Sequence, residues 1–489
     1  MRLKQLIKVL DSFKTSSDLG DFEVAGVDCN SKKISRESIF VAIKGNRENG
    51  HKFIGEAIEK GARLIITQDS YPEAGHHKEK VSFIEVPDTR MALAKLAGEF
   101  YGNPSREIKV IGITGTNGKT TVSYLLEALL QEGGINTAVI GTVNYRFNGR
   151  VLPSINTTPG PVEIQSMLAM MQNDGVGYVA MEVSSHALDQ GRTEGINFHS
   201  AIFTNLTQDH LDYHGTLENY FFAKSALFKK LPPASFAVIN NDDSFSSRLK
   251  DETRVEKVTY GLKAGAEVTA QDIRPEVSHT EFTLCSGRVQ ERIRTRLIGE
   301  HNVYNILAAA SWAMKEGMTL TTIKSAFDKF NGVPGRLERI DFPGDFSVFV
   351  DYAHTDDALA NVIRSLRKIS SGKIIVVFGC GGERDKTKRP KMGKVVSELA
   401  DSAIITSDNP RSEPPEEIID AIKSGISKGN YRVIADRRDA IKESLSAAGV
   451  GDIVLVAGKG HENYQIFKDR TIDFDDREVI KECLRSLRS

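Results

Sequence analysis

The segment Lys109–Thr121, with the sequence KVIGITGTNGKTT, decides the fold of the central part of this chain. Residues 110–113 are apolar and predict a buried strand, which runs into a glycine-containing loop at 115–118. Beyond Lys119, apolar residues at helical spacing over 122–130 predict an α-helix. This order is typical of a phosphate-binding loop, because backbone N–H groups and the helix N-terminus then surround phosphate oxygens.

The loop departs from the usual GxxxxGK[ST] pattern, which requires a glycine at the position of Ile113. We interpret it as the variant GxxGTxGKTT, in which Lys119 adds a full positive charge and a threonine hydroxyl can hold Mg²⁺. An ordinary strand-to-helix turn is the alternative, and the Gly-Lys-Thr context favours the phosphate loop. The predicted ATP contacts in this loop are Gly115, Thr116, Asn117, Gly118, Lys119, Thr120 and Thr121.

The bulk properties of the 489 residues indicate a cytosolic globular protein of about three domains. The net charge of −1 gives no reason to expect nucleic acid or a membrane surface as a partner. The four cysteines lie far apart without a CxxC pair, which predicts reduced thiols and neither disulfides nor a zinc site. The N-terminus lacks the apolar core of a signal peptide, and no apolar run is long enough to span a bilayer. We therefore expect a cytoplasmic protein, and we predict a monomer.

The order of apolar runs predicts an α/β fold with three domains. Residues 1–88 predict a small α/β domain, with strands at 38–44 and 62–67. Residues 89–333 predict a central phosphate-loop domain with a doubly wound sheet. Within it, 237–298 resembles short strands and turns, and 300–315 a helix. Residues 334–489 predict a third, Rossmann-like α/β domain.

Two predicted strands of the central domain end in polar groups. The apolar strand 177–183 carries Glu182 near its C-terminal end, and the strand 200–206 leads into Asp209–His214. Ligands collect at the C-terminal ends of strands in open α/β sheets, so these groups are expected beside the phosphate loop. A carboxylate at that place is the expected ligand of a metal or water. His214 has the alternative of capping the turn before Thr216.

A lysine interrupts the apolar stripe of the helix predicted at 217–231. Thr216 is a suitable N-cap, and Lys224 lies among apolar positions spaced i, i+3, i+4 and i+7. In one interpretation the stem of Lys224 is buried and its ammonium reaches the rim. In the other, Lys224 is a desolvated amine with a lowered pKa, suited to chemistry. The residues alone leave both interpretations open.

Each of four predicted strands in the third domain ends in a polar loop. These strands, at 346–350, 373–378, 402–406 and 452–457, lead into the loops at 351–354, 379–389, 408–411 and 458–462. Because parallel strands end at one edge of a sheet, this domain is expected to have a ligand site of its own. The loop after residue 378 lacks GxGxxG spacing and a downstream acid, which argues against a dinucleotide site.

Nine motifs, in order, resemble those of the Mur ligases of peptidoglycan synthesis, and the resemblance covers almost the whole chain. The motifs are GTNGKTT (115–121), MEVSSHALDQGR (181–192), TNLTQDHLDYHG (204–215), ENYFFAKSALF (218–228), HNVYNILAA (301–309), DYAHT (351–355), GGERDKTKRP (381–390), SDNPR (407–411) and GKGHE (458–462). Together they are far more specific than a phosphate loop alone.

The resemblance implies a carbon–nitrogen ligase that uses ATP and Mg²⁺ to join meso-diaminopimelate to UDP-N-acetylmuramoyl-L-alanyl-D-glutamate. The first domain would bind the UDP end, the central domain ATP and the dipeptide, and the third domain the amino acid. The implied contacts to the UDP-sugar dipeptide are Ser31, Asn46, Arg47, Glu48, Asn156, Thr157, Thr158, Ser184, Gln190 and Arg192. The implied contacts to the amino acid are Arg389, Asp408, Asn409, Pro410, Arg411, Gly458 and Glu462.

The resemblance also implies the remaining site residues. Asn305 and Arg336 would complete the ATP site. The implied catalytic residues are Lys119, Glu182, His210 and Lys224, and the implied Mg²⁺ ligands are Thr120, Glu182, His210 and Lys224 as a carbamate. Two departures stand out. Residues 30–32 are Asn-Ser-Lys where the family often has Asp-Ser-Arg, and Asp356 replaces a common proline, for which we expect a local change of turn.

The implied reaction has alternatives. ATP would convert the D-glutamyl side-chain carboxylate to an acyl phosphate, which the incoming amine attacks. The same reaction with L-lysine, or a folylpolyglutamate synthase, would use similar residues. The extra N-terminal domain, the TTPGP stretch at 157–161 and Asp408–Arg411 argue against the synthase. A regulatory or mechanical P-loop NTPase is a third alternative, and the third domain rich in ligand loops argues against it.

Overall fold

Short apolar runs form the first sheet of the protein. A computed structural model describes residues 1–15, 19–45, 48–69 and 81–486. The chain divides into two compact units, Met1–Lys119 with Gly133–Val258, and Thr120–Glu132 with Thr259–Ser489. The first elements are α1 (Leu3–Leu6), β1 (Lys14–Thr15), β2 (Gly26–Asp28), β3 (Ser38–Val41), α2 (Ile54–Glu59), β4 (Ala62–Thr67), β5 (Ser82–Glu85) and α3 (Thr89–Phe100).

This first sheet has the strand order β1-β5-β4-β3-β2, parallel except for β1. Alternation places Leu64 and Ile66 in one apolar core with α1 and α3, while Ile65 packs in a second core with α2. Helix α3 begins after Asp88, whose side chain accepts hydrogen bonds from the backbone of residues 90 and 91. The small α/β domain predicted at the N-terminus therefore has its expected sheet.

The phosphate-loop strand is the centre of the next sheet. Its order within the first unit is β12-β11-β6-β10-β7-β8-β9, and the strands from β12 to β7 are parallel. The elements of this region are β6 (Lys109–Thr114), α4 (Lys119–Glu132), β7 (Thr137–Ile140), β8 (Asn144–Phe147), β9 (Arg150–Pro153), α5 (Pro161–Asn173), β10 (Tyr178–Glu182), α6 (Ser185–Asp189), β11 (Phe198–Phe203), α7 (Leu211–His214), α8 (Leu217–Lys229), β12 (Phe236–Asn240) and α9 (Ser246–Glu252). The register pairs Glu182 with Ile113 and Phe203 with Thr114, so β6, β10 and β11 end together.

The part of the chain after residue 258 begins the second unit. Strand β13 (Glu256–Tyr260) begins just before this division, and the elements that follow it are β14 (Val268–Pro275), β15 (Thr280–Ser286), β16 (Val289–Thr295), α10 (Glu300–Lys315) and α11 (Leu320–Lys329). Strands β14, β15 and β16 form an antiparallel meander. The prediction of short strands and turns over 237–298 was therefore partly wrong, since these strands have seven or eight residues and α9 precedes them. The predicted helix at 300–315 is confirmed.

The third sheet lies in the second unit. Its order is β17-β18-β22-β19-β20-β21, and all pairs except β17–β18 are parallel. The elements are β17 (Glu338–Ile340), β18 (Ser347–Asp351), α12 (Asp356–Arg367), β19 (Ile374–Phe378), α13 (Lys388–Leu399), β20 (Ser402–Ile405), α14 (Pro415–Lys423), β21 (Tyr431–Val433), α15 (Arg437–Ala447), β22 (Ile453–Ala457), β23 (Tyr464–Ile466), β24 (Thr471–Asp473) and α16 (Asp476–Ser486). The four strands predicted to end in polar loops are neighbours and end at one edge, as expected.

Asp356 is the first residue of α12, whose N-cap Thr355 accepts a hydrogen bond from Ala358 N at 3.2 Å. An acidic residue in the first helical turn is favourable.

Among the residues that the structure describes, no helix is long and apolar enough to cross a bilayer. The domain boundaries after residues 88 and 333 stay predictions.

Candidate active site

The phosphate loop is held against the end of β11. Thr116 N donates to Asn205 O at 2.8 Å, and Asn117 N donates to Asn205 Oδ1 at 2.9 Å. Gly115 has φ 148°, and a Cβ atom there would overlap Thr204 Oγ1. Glycine is therefore required at this position both by the backbone conformation and by the close approach of the neighbouring strand.

Two lysine ammonium groups share one carbonyl of this loop. Lys119 Nζ donates to the carbonyl oxygens of Gly115 and Thr116, at 2.8 Å each. Lys224 Nζ, carried by α8, also donates to Gly115 O at 2.8 Å. The side chain of Lys224 therefore points into the phosphate loop.

Lys224 is 2% exposed, so the interpretation that its ammonium reaches the rim is wrong. Burial, and then the positive charge of Lys119, lower the pKa of Lys224 well below its usual value. Its ammonium lies 4.5 Å from the centroid of the Tyr220 ring. Helix α8 that carries it begins as predicted, with the Thr216 hydroxyl accepting from Asn219 N at 3.1 Å.

Glu182 is a buried carboxylate at the end of β10, with 1% exposure. Its Oε1 accepts from Thr142 N at 3.0 Å, and its Oε2 accepts from Thr142 Oγ1 at 2.8 Å. A Cβ at Gly141 would overlap Oε1, so the glycine makes room for the carboxylate. The role of Thr142 was missed from the sequence, although its place directly after β7 is where ligand-facing residues collect.

The histidines of the 209–214 segment take different positions. His210 has φ 54°, and its Nε2 lies 3.5 Å from Asp209 Oδ2. His210 and His186 have ring centroids 4.8 Å apart. His214 is buried, and its Nε2 lies within hydrogen-bond distance, 3.0 Å, of Ser185 Oγ. The side chain of His214 therefore makes a hydrogen bond with the first residue of helix α6. The sequence had left open the alternative that His214 caps the turn before Thr216.

The implied dipeptide contacts form a network around Glu182. Thr157 Oγ1 lies 3.0 Å from Thr142 Oγ1, and the buried Thr158 hydroxyl donates to the Glu182 carbonyl at 2.8 Å. Ser184 N donates to Thr158 Oγ1 at 3.0 Å. The structure therefore brings these residues together at the end of β10, with Thr158 turned into the protein.

Arg192 and Gln190 extend this network. Arg192 Nη1 donates to Thr158 O at 3.0 Å, and its Nη2 donates to Gln190 Oε1 at 2.6 Å. Gln190 Nε2 donates to the Tyr213 hydroxyl at 3.2 Å, and this hydroxyl donates to Asp189 at 2.6 Å. An open cleft of about 780 Å³ adjoins these groups, lined by Leu188, Asp189, Asp212, Tyr213, His214, Asn219, Phe222, Ala223 and Ala226.

For the remaining residues implied to bind the UDP-sugar dipeptide, the structure shows contacts within the protein. Ser31 is buried and donates to Glu56 Oε2 at 2.7 Å. The carbonyls of Glu48 and Asn156 accept hydrogen bonds from Gly45 N and the Tyr145 hydroxyl. Two predicted contacts, Asn46 and Arg47, lie outside the described residues.

Two ATP contacts implied by the resemblance belong to the second unit. Arg336 Nη2 donates to Thr120 Oγ1 at 3.4 Å, and its guanidinium lies 4.5 Å from the centroid of the Tyr352 ring. This places Arg336 at the first turn of α4. Asn305 is buried within α10, where its Nδ2 donates to Asn302 Oδ1 at 3.0 Å.

The loops after β20 and β22 bring the implied amino-acid contacts together. Asn409 Nδ2 donates to Glu462 Oε2 at 2.8 Å, and Ile466 N donates to Asn409 Oδ1 at 3.0 Å. A Cβ at Gly458, which has φ 113°, would lie 2.7 Å from Asp408 Oδ2. This contact explains why glycine is needed beside that carboxylate.

Two arginines lie in neighbouring loops of this domain. Arg411, which follows Pro410, has φ 54° and donates from Nη1 to Gly382 O at 2.7 Å. Arg389 Nη2 donates to both carboxylate oxygens of Glu413 at 3.0 Å. This hydrogen bond, together with the one from Glu383 N, lowers the pKa of Glu413 to about 2. The partner Glu413 was missed from the sequence.

Arg389 has a buried donor at Nε. Its Nε is buried and makes no hydrogen bond to the described part of the chain, while Glu413 occupies Nη2. A buried donor without a partner is costly, and a carboxylate ligand would satisfy it.

Family models match three stretches of the chain. The Mur ligase family catalytic domain matches residues 23–101, the Mur ligase middle domain 113–313, and the Mur ligase glutamate ligase domain 335–460. A UDP-N-acetylmuramoyl-L-alanyl-D-glutamate–2,6-diaminopimelate ligase from Clostridium tetani is 42% identical over 489 residues, the whole of both chains. The chain belongs to the Mur ligase family. This membership confirms the predicted three-domain α/β class and the prediction of an ATP-dependent ligase.

Solved structures agree with this assignment. A structure of a UDP-N-acetylmuramoyl-L-alanyl-D-glutamate–2,6-diaminopimelate ligase is 33% identical, with a TM-score of 0.69 and coverage of 95% of this chain and 96% of that chain. The folylpolyglutamate synthase of Mycobacterium tuberculosis, complexed with ADP and AMPPCP, has a TM-score of 0.63 at 20% identity. It covers 76% of this chain and 92% of its own, and this likeness shows the shared fold alone. Membership of a ligase family excludes the regulatory NTPase.

Proposed function

We propose that this Mur ligase joins meso-diaminopimelate to UDP-N-acetylmuramoyl-L-alanyl-D-glutamate at the expense of ATP. Relatives that carry this name match the chain over its full length. The observation that carries the proposal is the grouping of Asp408, Asn409 and Glu462 with the arginines of neighbouring loops. Carboxylates suit the ammonium at the far end of diaminopimelate, and Arg389 and Arg411 suit its carboxylate.

The first step activates the substrate carboxylate. An oxygen of the D-glutamyl side chain attacks the γ-phosphorus of ATP, the bond to the β-phosphate oxygen breaks, and ADP leaves. Two anions must approach each other, so positive charge at the phosphate loop lowers the barrier. Lys119 supplies that charge, and the backbone N–H groups of the loop orient the phosphates.

The second step forms the amide. The neutral amine of the amino acid attacks the acyl carbon, loses a proton, and expels phosphate. Arg389, Arg411 and Glu462 hold the far end of the amino acid, so that the reacting amine has a defined position. The network of Thr157, Ser184, Gln190 and Arg192 orients the dipeptide beside Glu182 in the same way.

A modified Lys224 would extend the oxygen donor set that this chain offers to Mg²⁺. The described residues contain no group of three or more carboxylate, histidine or cysteine side chains arranged for a metal. Glu182 supplies one carboxylate, His210 lies in the same unit, and Thr120 remains a predicted ligand. We propose that the Lys224 amine adds CO₂ and loses a proton, which gives a carbamate as a second carboxylate-like ligand. Bound Mg²⁺ would neutralise the phosphate charge.

The remaining parts of the proposal follow from these substrates. We propose that Ser31 and residues 46–48 bind the uridine end, and that Asn305 and Arg336 complete the ATP site. Because ATP and nucleotide-linked sugars are cytoplasmic compounds, we place the reaction in the cytoplasm. All the proposed site residues come from one chain, so we expect a monomer to be active.

Phosphate release tests the proposed substrate. The enzyme is given ATP, the UDP-sugar dipeptide and, in parallel, meso-diaminopimelate, L-lysine or L-ornithine. We expect kcat/KM for diaminopimelate to exceed that for lysine at least about a hundredfold, because a site with buried polar groups rejects an analogue that leaves them unpaired. Equal use of lysine would show that the carboxylate of diaminopimelate is not recognised.

A further inference from the structure

Lys459 is a fully buried cation in the loop that follows β22. Lys459 is 0% exposed. Its ammonium donates to Asn409 Oδ1 at 3.3 Å and to Glu462 Oε2 at 3.2 Å. The same nitrogen lies 5.5 Å from the centroid of the Tyr464 ring. Both hydrogen-bond partners are residues proposed above to bind the amino acid. The cation is therefore part of that site as well as of the packed interior.

A buried ammonium is retained only where anions and acceptors compensate its lost hydration. The buried carboxylate of Glu462 likewise needs cations and hydrogen-bond donors to compensate its lost hydration. Burial raises the pKa of Glu462, and the positive charge of Lys459 opposes this rise. The charge of Asp408 acts in the same direction as burial, while the hydrogen bond from Asn409 opposes it.

Further groups face the Glu462 carboxylate from neighbouring elements. They are Tyr352 after β18, Tyr464 at the start of β23, and Arg437 at the start of α15. Among the groups around this carboxylate, Lys459 combines a positive charge with a direct hydrogen bond to it. Its removal would leave Asn409 as the hydrogen-bond donor and Asp408 as a near negative charge.

We propose that Lys459 is a positioning residue for the amino-acid substrate, because it holds the Glu462 carboxylate as an anion and fixes its orientation. The hydrogen bonds from Lys459 and Asn409 both end on Oε2, which assigns Oε1 to the ammonium of the incoming amino acid. This inference rests on the proposed function, in which Glu462 receives the far ammonium of diaminopimelate. Lys459 thus acts through Glu462 without touching the substrate.

Steady-state kinetics of the Lys459→Met variant test this role. The controls are Lys459→Arg and Lys423→Met. Lys459→Met keeps most of the length of the side chain and removes the charge, whereas Lys459→Arg keeps the charge. Lys423 lies partly exposed on α14. At neutral pH we expect the KM for diaminopimelate to rise about tenfold or more in Lys459→Met. We expect the KM values for ATP and the UDP-sugar dipeptide to change less than about twofold, and Lys423→Met to match the unmodified enzyme.

The pH profile provides a readout that a purely structural role would not move. Protonation of Glu462 removes the acceptor for the ammonium, so the KM for diaminopimelate rises as pH falls through the pKa of Glu462. Without Lys459 this pKa is higher. We expect the rise in KM to begin about one pH unit higher in Lys459→Met, and to return towards its original position in Lys459→Arg.

A titration without substrate separates this inference from the proposed function. In protein labelled with ¹³C at glutamate carboxyl groups, the signal lost in Glu462→Gln identifies Glu462. We expect its midpoint to lie higher in Lys459→Met, or in Lys459→Gln if the methionine variant does not fold. An unchanged midpoint would overturn the inference, as would an equal rise of all three KM values. A shifted midpoint in an enzyme that makes no product from diaminopimelate would instead overturn the proposed function.

Discussion

Lys224 is a buried amine on α8, and its ammonium donates to Gly115 O of the phosphate loop at 2.8 Å. Its place in the apolar stripe of α8 raised the alternative of a desolvated amine, and the structure confirms burial with a lowered pKa. What the stripe could not show was the acceptor, because Gly115 O lies 109 residues earlier in the chain. Helical spacing identifies which face of an element is buried, but the partner depends on the tertiary packing.

Lys224→Ala tests the proposed carbamate. Removal of the side chain deletes one proposed oxygen ligand of Mg²⁺, so we expect kcat to fall at least about a hundredfold. A short carboxylate such as formate or acetate should restore part of the activity, since it can fill the vacated volume with an anion.

The control for this experiment is Lys224→Arg, which keeps the positive charge but cannot form a carbamate. We expect it to be as inactive as the alanine variant and to resist rescue, because the arginine fills the space. Normal turnover of Lys224→Arg would contradict the carbamate.

Lys459 and Thr142 were missed for a related reason. Lys459 lies inside the GKGHE motif, from which the resemblance implies only Gly458 and Glu462 as contacts, and lysines are usually solvated. Its burial arises from the packing of the 458–462 loop against Asn409. Both omissions concern residues whose role depends on a partner that is distant in the sequence.

Among larger elements, α15 and α16 are joined to the third sheet by one buried ion pair. Arg437 and Asp476 have 0% exposed side chains, and Arg437 Nη2 donates to Asp476 Oδ2 at 2.7 Å and to Ala457 O at 3.0 Å. Its Nη1 donates to Ser407 O at 3.4 Å. These carbonyls directly precede the amino-acid loops, so the pair holds both loops to the sheet.

Asp476→Asn is expected to lower the free energy of unfolding by about 3–5 kcal/mol, because it leaves Arg437 as a buried charge without an anion. The neighbouring pair Arg438–Glu482 provides a matched control, since its side chains are 52% and 54% exposed. For Arg438→Met we expect a loss of less than about 1 kcal/mol. Chemical denaturation of the third-domain transition measures both, and similar losses for the two variants would contradict the argument.

The sequence predicted some strands more accurately than others, because the strands differ in how far they are buried. Strands β18, β19, β20 and β22 are almost fully buried, so continuous apolar runs identified them. Strand β14 alternates buried and half-buried residues only at its start, and β16 is largely exposed. Their polar sequences therefore predicted short strands and turns where the structure has a long antiparallel meander.

Over the whole chain, motif order was sufficient to predict the family, whereas the division into two units was not predicted. Helix α4 from Thr120 onward belongs with residues 259–489. At its end, Glu132 accepts a hydrogen bond from Ser325 at 2.6 Å and pairs with Lys329 at 2.7 Å. The apolar pattern of α4 shows that one face is buried, but it does not show that the end of the helix bonds to residues almost two hundred positions later.

The activity of the complete enzyme depends on the chemistry of the phosphoryl acceptor. In the proposed reaction the acceptor is the D-glutamyl carboxylate of the UDP-sugar dipeptide, and the phosphate loop only orients ATP. Without that carboxylate, water is the remaining acceptor, and the bound dipeptide no longer supplies an oriented nucleophile. We therefore expect phosphate release from ATP alone to be at least about tenfold slower than release with the dipeptide and diaminopimelate together.

Two measurements make this prediction specific. Lys119→Ala should abolish phosphate release with all substrates while binding of the UDP-sugar dipeptide, measured by calorimetry, stays within about threefold of the unmodified enzyme. With the dipeptide but without an amino acid, hydroxylamine should trap the acyl phosphate as a hydroxamate. Rapid hydrolysis of ATP alone, unaffected by the dipeptide, would show that the γ-phosphate is transferred to water and that the acyl-phosphate route is wrong.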